Sequence, residues 1–90
     1  MKCGNHPKKF NLAGATWTVK YTDDIHELGR TDSDRHVIYI STKQTEQGMG
    51  LTMKHEVVHA ILFTMGETDH DEKFVEAFAQ LLYQYENQLQ

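Results

Sequence analysis

The chain has 90 residues, 39% of them hydrophobic, and a formal net charge of -4. A chain of this length buries about 60 to 65% of its unfolded surface and supports one core, so we expect a single domain over residues 1–90, with residues 1–8 flexible. The nine basic residues form no block, which argues against nucleic acid as a partner. No apolar run approaches the about 18 residues of a membrane span, and the N-terminal residues lack the apolar stretch of a signal peptide. We therefore expect a cytoplasmic protein.

Two β-prone runs, Phe10 to Leu12 and Trp17 to Tyr21, open the chain. Ala13-Gly14-Ala15 separates them, which predicts a β-hairpin, and the second run alternates polar and apolar residues as a strand with one buried face does. A polar segment, Thr22 to Arg35, leads to the compact β-branched run His36 to Ile40, which predicts a further strand. The first half of the chain therefore predicts a small antiparallel sheet of two or three strands.

Apolar residues with helical spacing follow from Thr45 to Met65, and Gly66 suits the C-terminal cap of that helix. Two glycines weaken its first turn, which leaves a start as late as Leu51 open. A second helix is predicted from Asp71 to about Gln88. Its apolar stripe is expected to face the rest of the domain and consists of Phe74, Phe78, Leu81, Leu82, Tyr85 and Leu89. The predicted fold class is α+β, a small antiparallel sheet followed by two packed helices.

The segment His55-Glu56-Val57-Val58-His59 matches the pattern His-Glu-x-x-His inside the first predicted helix. Residues four apart share one face of a helix, so the two imidazoles can bind one tetrahedral ion, for which Zn²⁺ is the expected metal. Glu56 lies beside them, near the remaining coordination position, where a carboxylate can act as a general base. The spacing therefore predicts a zinc site with His55 and His59 as ligands and Glu56 as the catalytic residue.

A catalytic zinc site takes a third protein ligand and leaves its fourth position to water. Glu72 and Glu76 share one face of the second predicted helix, so one can bind the metal while the other hydrogen-bonds the far nitrogen of a ligand histidine. We assign Glu72 as the ligand and Glu76 as the supporting acid. His70, in the loop between the helices, is the alternative third ligand, and it could otherwise stabilise an oxyanion.

The motif and the second helix together resemble the zincin metallopeptidases, most closely the ImmA/IrrE-type family often found on phages and mobile elements. In that family a metal-binding glutamate is followed by Ala-Asn at its third and fourth positions and then by Phe-Ala. Here Glu72 is followed by Val75-Glu76 and then by Phe78-Ala79. The resemblance implies that Glu72 is the third ligand.

The SprT-like zinc proteins are a second resemblance, because their third histidine precedes a phenylalanine by four positions, as His70 precedes Phe74. Either resemblance implies a zincin-like fold and zinc-dependent hydrolysis of peptide bonds in a polypeptide substrate. In zincins the substrate lies extended along an edge strand, for which Val37 to Ile40 is the candidate here. A phage or mobile-element origin is expected, and a monomer is expected, with a dimer as the alternative.

The alternative function is a non-catalytic, zinc-stabilised binding or regulatory module. In such a module the metal ties the two helices together and supplies folding free energy without turnover. Glu56 discriminates between the two functions, because a structural site has no use for a carboxylate at an open coordination position and typically closes with a fourth protein ligand.

Overall fold

The computed structural model describes residues 8–89, so the expectation of a flexible N-terminal stretch lies outside the described residues except at Lys8. Four strands precede two helices: β1 (Lys9–Leu12), β2 (Ala15–Thr22), β3 (Gly29–Asp32), β4 (Val37–Ser41), α1 (Glu46–Thr64) and α2 (Glu72–Asn87). The α+β class is confirmed. Within residues 8–89, neither helix combines the length and the apolar character that crossing a bilayer demands.

The sheet has the strand order β1-β2-β4-β3, with antiparallel pairs at both ends and a parallel pair, β2 and β4, in the centre. The prediction of a purely antiparallel sheet of two or three strands is therefore wrong. β3 lies inside the polar segment and has no hydrophobic residue to mark it as a strand. A tight turn after β3 reverses the direction of the chain, so that β4 runs antiparallel beside β3. In that turn the Asp32 carboxylate accepts hydrogen bonds from the backbone N–H groups of Asp34 and Arg35, and His36 has a φ of 57°.

β1 and β2 form the predicted hairpin, in which Leu12 lies opposite Ala15. Its two-residue turn consists of Ala13, with a φ of 51°, and Gly14, with a φ of 83°. A type I′ turn requires positive φ at both central positions, and its twist matches that of the flanking strands. The hairpin is confirmed, with Ala15 belonging to β2 instead of the turn.

The main core lies between the sheet and α1. Its buried residues come from β2, β4 and α1 and are Trp17, Val19, Ile38, Ile40, Met49, Met53 and Ala60. β4 is buried over most of its length because it lies between β2 and β3, which explains its run of β-branched residues. This core holds α1 against the sheet, where it contacts β3 and β4. α1 also contacts α2, so these three elements surround the His-Glu-x-x-His motif.

Both ends of α1 carry specific caps. Thr45 is the N-cap, and its side chain accepts a backbone N–H of the first turn, so the helix begins before both glycines. At the other end, the N–H of Gly66 donates to the carbonyl of Phe63 and that of Glu67 to Leu62, while Gly66 has a φ of 91°. These two bonds form a Schellman motif, so the predicted glycine cap is confirmed.

α2 packs on α1 through small side chains. Val75 and Ala79 are buried against Val58, with Leu62 at the edge of the contact. The prediction that the large apolar stripe of α2 faces the rest of the domain is therefore wrong. Leu82 is half-buried, and the other members are exposed: Phe74, Phe78, Leu81, Tyr85 and Leu89.

The close approach of the two helices explains this orientation. A side chain at Gly50 of α1 would place its Cβ 3.1 Å from Cε1 of Tyr83, so glycine leaves room there for the α2 ring. Small residues at the contact allow helix axes to lie close together, whereas the large stripe residues would hold them apart. This packing turns Glu72 and Glu76 towards the histidines of α1.

Candidate metal centre

Three side chains from the two helices converge at one point. His55 and His59 lie one turn apart on α1, and Glu72 lies in the first turn of α2, directly after its N-cap Asp71. Nε2 of His55 is 3.4 Å from Oε1 of Glu72, and Nε2 of His59 is 3.4 Å from Oε2 of the same carboxylate. One potential ligand atom from each residue lies within 4.8 Å of the other two. These three residues could hold a metal ion.

The spacing also fits the chemistry of the expected metal. A tetrahedral ion with ligand bonds of about 2.0 to 2.1 Å keeps neighbouring ligand atoms about 3.4 Å apart. Each histidine has one carboxylate oxygen of Glu72 at this distance, Oε1 for His55 and Oε2 for His59. Two imidazoles and one carboxylate are a donor set that Zn²⁺ accepts.

Glu76 supports His55 from the side away from Glu72. The Nδ1 atom of His55 lies 2.9 Å from Oε1 of Glu76, and the second oxygen of Glu76 accepts a hydrogen bond from Gln80. An ionised carboxylate only accepts, so Nδ1 of His55 carries the proton and donates it. Nε2 is then left with its lone pair facing Glu72, which is the tautomer that binds a metal.

His70 supports His59 in a comparable way. Nδ1 of His70 lies 2.7 Å from Nδ1 of His59, and its Nε2 lies 2.6 Å from the carbonyl oxygen of Glu67. Because a carbonyl only accepts, Nε2 of His70 donates to it, and an imidazole with its one proton on Nε2 has Nδ1 available to accept from Nδ1 of His59. The structure therefore places His70 behind His59, on its Nδ1 side, while Nε2 of His59 faces Glu72. Burial lowers the pKa of the His59 imidazole, which favours the neutral form that binds metal.

Glu56 is turned towards the sheet and contacts β3. Its Oε1 accepts a hydrogen bond of 2.6 Å from the hydroxyl of Thr31, and the residue is only 7% exposed. Burial raises the pKa of the Glu56 carboxyl, and the hydrogen bond from Thr31 opposes this effect. A carboxylate with a raised pKa is suited to take up a proton and to release it later.

The backbone of β3 passes close to Glu56 at Gly29. A Cβ added at this glycine would lie 2.6 Å from Cγ2 of Thr52 and 2.9 Å from Cγ of Glu56. Real Cβ atoms essentially never approach other atoms so closely. Glycine is therefore required here for the sheet edge to approach α1, and this approach packs Glu56 into position.

An open cavity of about 460 Å³ joins these groups. It is lined by both histidines of the motif, Glu56 and Glu72, together with Gly29, Thr31, Phe63, Thr68 and His70. A second cavity of about 350 Å³ lies on the other side of His55 and Glu56 and includes Leu28, Leu51 and Thr52 in its wall. The candidate base and the potential ligands therefore face the same open space.

The strand beside this cavity is not the one expected from the sequence. β4, which contains Val37 to Ile40, has β2 on one side and β3 on the other, so it is not an edge strand. β3 is the edge strand next to the motif. Sequence reasoning missed β3, and with it Gly29 and Thr31, because a four-residue polar strand has no hydrophobic periodicity. The glycine in the polar segment was the one available signal.

The geometry defines a candidate metal site, in which a His-Glu-x-x-His helix and a glutamate from the next helix bring together three residues that could hold an ion. No protein-family model, curated protein or solved structure matches this chain.

Proposed function

We propose that the chain is a zinc-dependent metallopeptidase of the zincin class that hydrolyses peptide bonds in a polypeptide substrate. The observation that carries this proposal is the grouping of three ligand atoms suited to one ion with the buried carboxylate of Glu56 on the same cavity. The resemblance to ImmA/IrrE-type zincins of phages and mobile elements supports it. The position of His70 behind His59 favours that family over the SprT-like proteins.

The hydrogen bonds around the ligands favour a catalytic over a structural site. His70 and Glu76 lie beside the centre as potential fourth ligands, and both instead contact the outer nitrogens of the ligand histidines within hydrogen-bond distance. Supporting partners of this kind orient a ligand and set its tautomer. A site with three protein ligands keeps a position for water or substrate, as catalytic zinc sites do.

The chemistry follows from the positions of the acidic groups. A zinc ion held by the three ligands would polarise the scissile carbonyl and make water a nucleophile near neutral pH. Glu56 takes the proton from that water and passes it to the amine of the leaving peptide. Because burial raises the pKa of Glu56, its protonated form is accessible for the second transfer.

The substrate backbone is proposed to pair with β3. The N–H of Ser41 donates to the carbonyl of Leu28, so these two residues form a hydrogen-bonded pair next to the β3–β4 ladder. Hydrogen-bonded and non-hydrogen-bonded pairs alternate along an antiparallel ladder, so Gly29 and Thr31 belong to non-hydrogen-bonded pairs. The backbone groups of Gly29 and Thr31 are then directed to the open edge, next to the cavity. An extended peptide can add to such an edge as a further strand.

The second cavity suggests a preference for an apolar substrate side chain. Leu28 is 62% exposed, and with Leu51 it lines the space beside His55 and Glu56. A side chain placed there would cover apolar surface that is otherwise in water. We expect cleavage next to large apolar residues, which a product map of a digested unfolded protein measures directly.

The test combines zinc content by elemental analysis with a proteolysis assay. We expect native protein and Glu56→Gln to hold one zinc, and His59→Ala and Glu72→Ala to lose it. Cleavage should fall by a factor of about 100 to 10,000 in Glu56→Gln, because the general base is removed. The exposed His26 lies outside the centre, so His26→Ala is the matched control and should keep both zinc and activity.

The supporting residues give a graded result in the same assay. His70→Ala and Glu76→Ala should bind zinc about 10 to 100 times more weakly without abolishing binding. If His70→Ala removes zinc while Glu72→Ala retains it, the ligand assignment is wrong. Zinc binding without cleavage by any form of the protein supports the non-catalytic module instead, and the absence of zinc from the native protein contradicts both functions.

A further inference from the structure

The outer face of α2 carries a continuous row of exposed apolar side chains, here called the α2 stripe: Phe74, Phe78, Leu81 and Tyr85, extended by Leu89. The first four are 51%, 47%, 65% and 59% exposed. The rings of Phe74 and Phe78 stack with centroids 5.6 Å apart. Val75 and Ala79, about 100° round the helix from Phe74 and Phe78, make the contact with α1, so the stripe does not belong to the domain core.

The area of the stripe is in the range of the largest apolar patches on monomeric proteins, which are often functional. A large aromatic side chain offers about 150 to 250 Å², so side chains that are half to two-thirds exposed leave roughly 500 Å² of apolar surface on this face. Contiguous apolar patches of this size commonly mark surfaces that bind another molecule. Two such faces buried against each other would remove about 1,000 Å², the lower bound for a specific interface.

The spacing of the stripe is suited to a second copy of the same helix. The steps from Phe74 to Phe78, to Leu81 and to Tyr85 are four, three and four residues. This order reads the same from either end, and it is the spacing of a seam between two packed helices. In an antiparallel pair about a two-fold axis, Phe74 would lie opposite Tyr85 of the second copy and Phe78 opposite Leu81 of the second copy. Each contact then occurs twice, as a two-fold interface requires.

The charges beside the stripe also permit self-association. Ala77, Gln84 and Gln88 border it and are uncharged. Glu86 lies further round the helix and pairs with Lys54 at 2.6 Å. A second copy of a chain with a net charge of -4 would therefore meet no row of acidic residues at this face.

We propose that α2 pairs antiparallel with α2 of a second copy, so that the protein is a homodimer through the α2 stripe. Glu72 and Glu76 lie on the side of α2 that faces α1, so the pairing leaves both metal centres open. The proposal goes beyond the peptidase function and does not depend on it. It replaces the monomer expected from the sequence, because the sequence pattern assigned this stripe to the core.

The test is sedimentation equilibrium of the full chain over a wide range of concentrations. We expect the native protein to reach twice the mass of one chain. The single variants Phe74→Lys and Tyr85→Glu should each be monomeric, because the charge would be buried twice in the seam, each time against an apolar side chain of the other copy. The double variant should recover the dimer, since the antiparallel pairing puts the new lysine opposite the new glutamate of the second copy.

The charge variants distinguish the antiparallel pairing of two α2 helices from other modes of association. Residues 74 and 85 are eleven apart on one helix, so the two charges cannot pair within a single chain. Lys20→Glu, on the exposed surface of β2, is the matched control and should remain dimeric. A native protein that stays monomeric at every concentration overturns the proposal, as does a dimer that both single variants retain. Monomeric single variants without recovery in the double variant contradict the antiparallel pairing. Recovery excludes unfolding as the cause of the single-variant effects.

Discussion

The acidic side chains of the centre differ in exposure, and this difference separates their roles. Glu56 is 7% exposed, whereas the side chains of Glu72 and Glu76 are 68% and 54% exposed. An exposed carboxylate is ionised at little cost, which suits a metal ligand or a hydrogen-bond acceptor. A buried carboxylate resists ionisation, which suits a group that exchanges protons. Burial thus distinguishes the proposed base from the other two acids, although all three are glutamates.

Thr31 is expected to hold the base in position. Replacing it by valine removes the hydrogen bond to Glu56, and a bond to a charged group contributes about 1.5 to 3 kcal/mol, so kcat/KM should fall roughly 10- to 100-fold. In the native protein the hydrogen bond from Thr31 lowers the pKa of Glu56, so the valine variant should have a Glu56 pKa that is raised further. The base acts in its ionised form, and the acidic limb of the pH–rate profile should therefore move to higher pH.

Thr31→Ser is the matched control, because serine keeps the hydroxyl. Its activity and pH profile should stay close to those of the native protein, and both variants should keep their zinc. A valine variant with native kcat/KM and an unmoved acidic limb would show that Thr31 does not position Glu56.

At the scale of the elements, two short segments with weak sequence signals determine the shape of the site. The edge strand β3 brings Gly29 against Glu56, and the face of α2 that carries small side chains brings Glu72 to the histidines.

The hairpin of β1 and β2 contributes no residue to the cavity, but its turn contains strain that a substitution can relieve. Ala13 has a φ of 51°, a conformation that costs an L-residue with a Cβ roughly 1 to 2 kcal/mol.

Ala13→Asn is expected to stabilise the protein by about 0.5 to 1 kcal/mol, because asparagine before glycine is favoured in a type I′ turn. The free energy of unfolding in urea measures the change. Ala13→Val should have the opposite effect, since a β-branched side chain is disfavoured at positive φ. Equal stability of the two variants would contradict the turn assignment. Zinc content should be native in both, because the turn is remote from the metal centre.

At the scale of the whole molecule, the proposed metal would add a link between two helices that already pack together. α2 buries Val75 and Ala79 against α1, and the ion pair of Lys54 and Glu86 adds a further link. The potential ligands are divided between the helices, with two on α1 and one on α2. Binding a metal to the folded state alone stabilises that state by mass action.

Zinc is therefore expected to raise the Tm of the native protein. At a zinc concentration 100 times the Kd the gain is about 2.7 kcal/mol, which corresponds to roughly 10 to 20 °C for a domain of this size. The same shift is expected for Glu56→Gln, which keeps the three ligands. Glu72→Ala should show little or no shift in a thermal denaturation scan with and without zinc. A full shift in that variant would exclude Glu72 as a ligand.

The sequence by itself determined the features that depend on local spacing. His55 and His59 share a helix face because four residues nearly complete a turn, and Gly66 ends that helix because it adopts positive φ at low cost. The hairpin and the strand β4 followed in the same way from turn residues and β-branched runs. These features need no knowledge of the rest of the chain.

Only the tertiary structure decided the features that depend on which faces meet. β3 became a strand because β4 offered it a partner, and this made β4 an inner strand and Gly29 and Thr31 part of the site. α2 turned its small residues, Val75 and Ala79, towards α1 and left its large apolar stripe in solvent. Periodicity shows that a helix has an apolar face, but closeness of packing selects the face that is buried. That selection placed Glu72 between the two histidines and His70 behind His59.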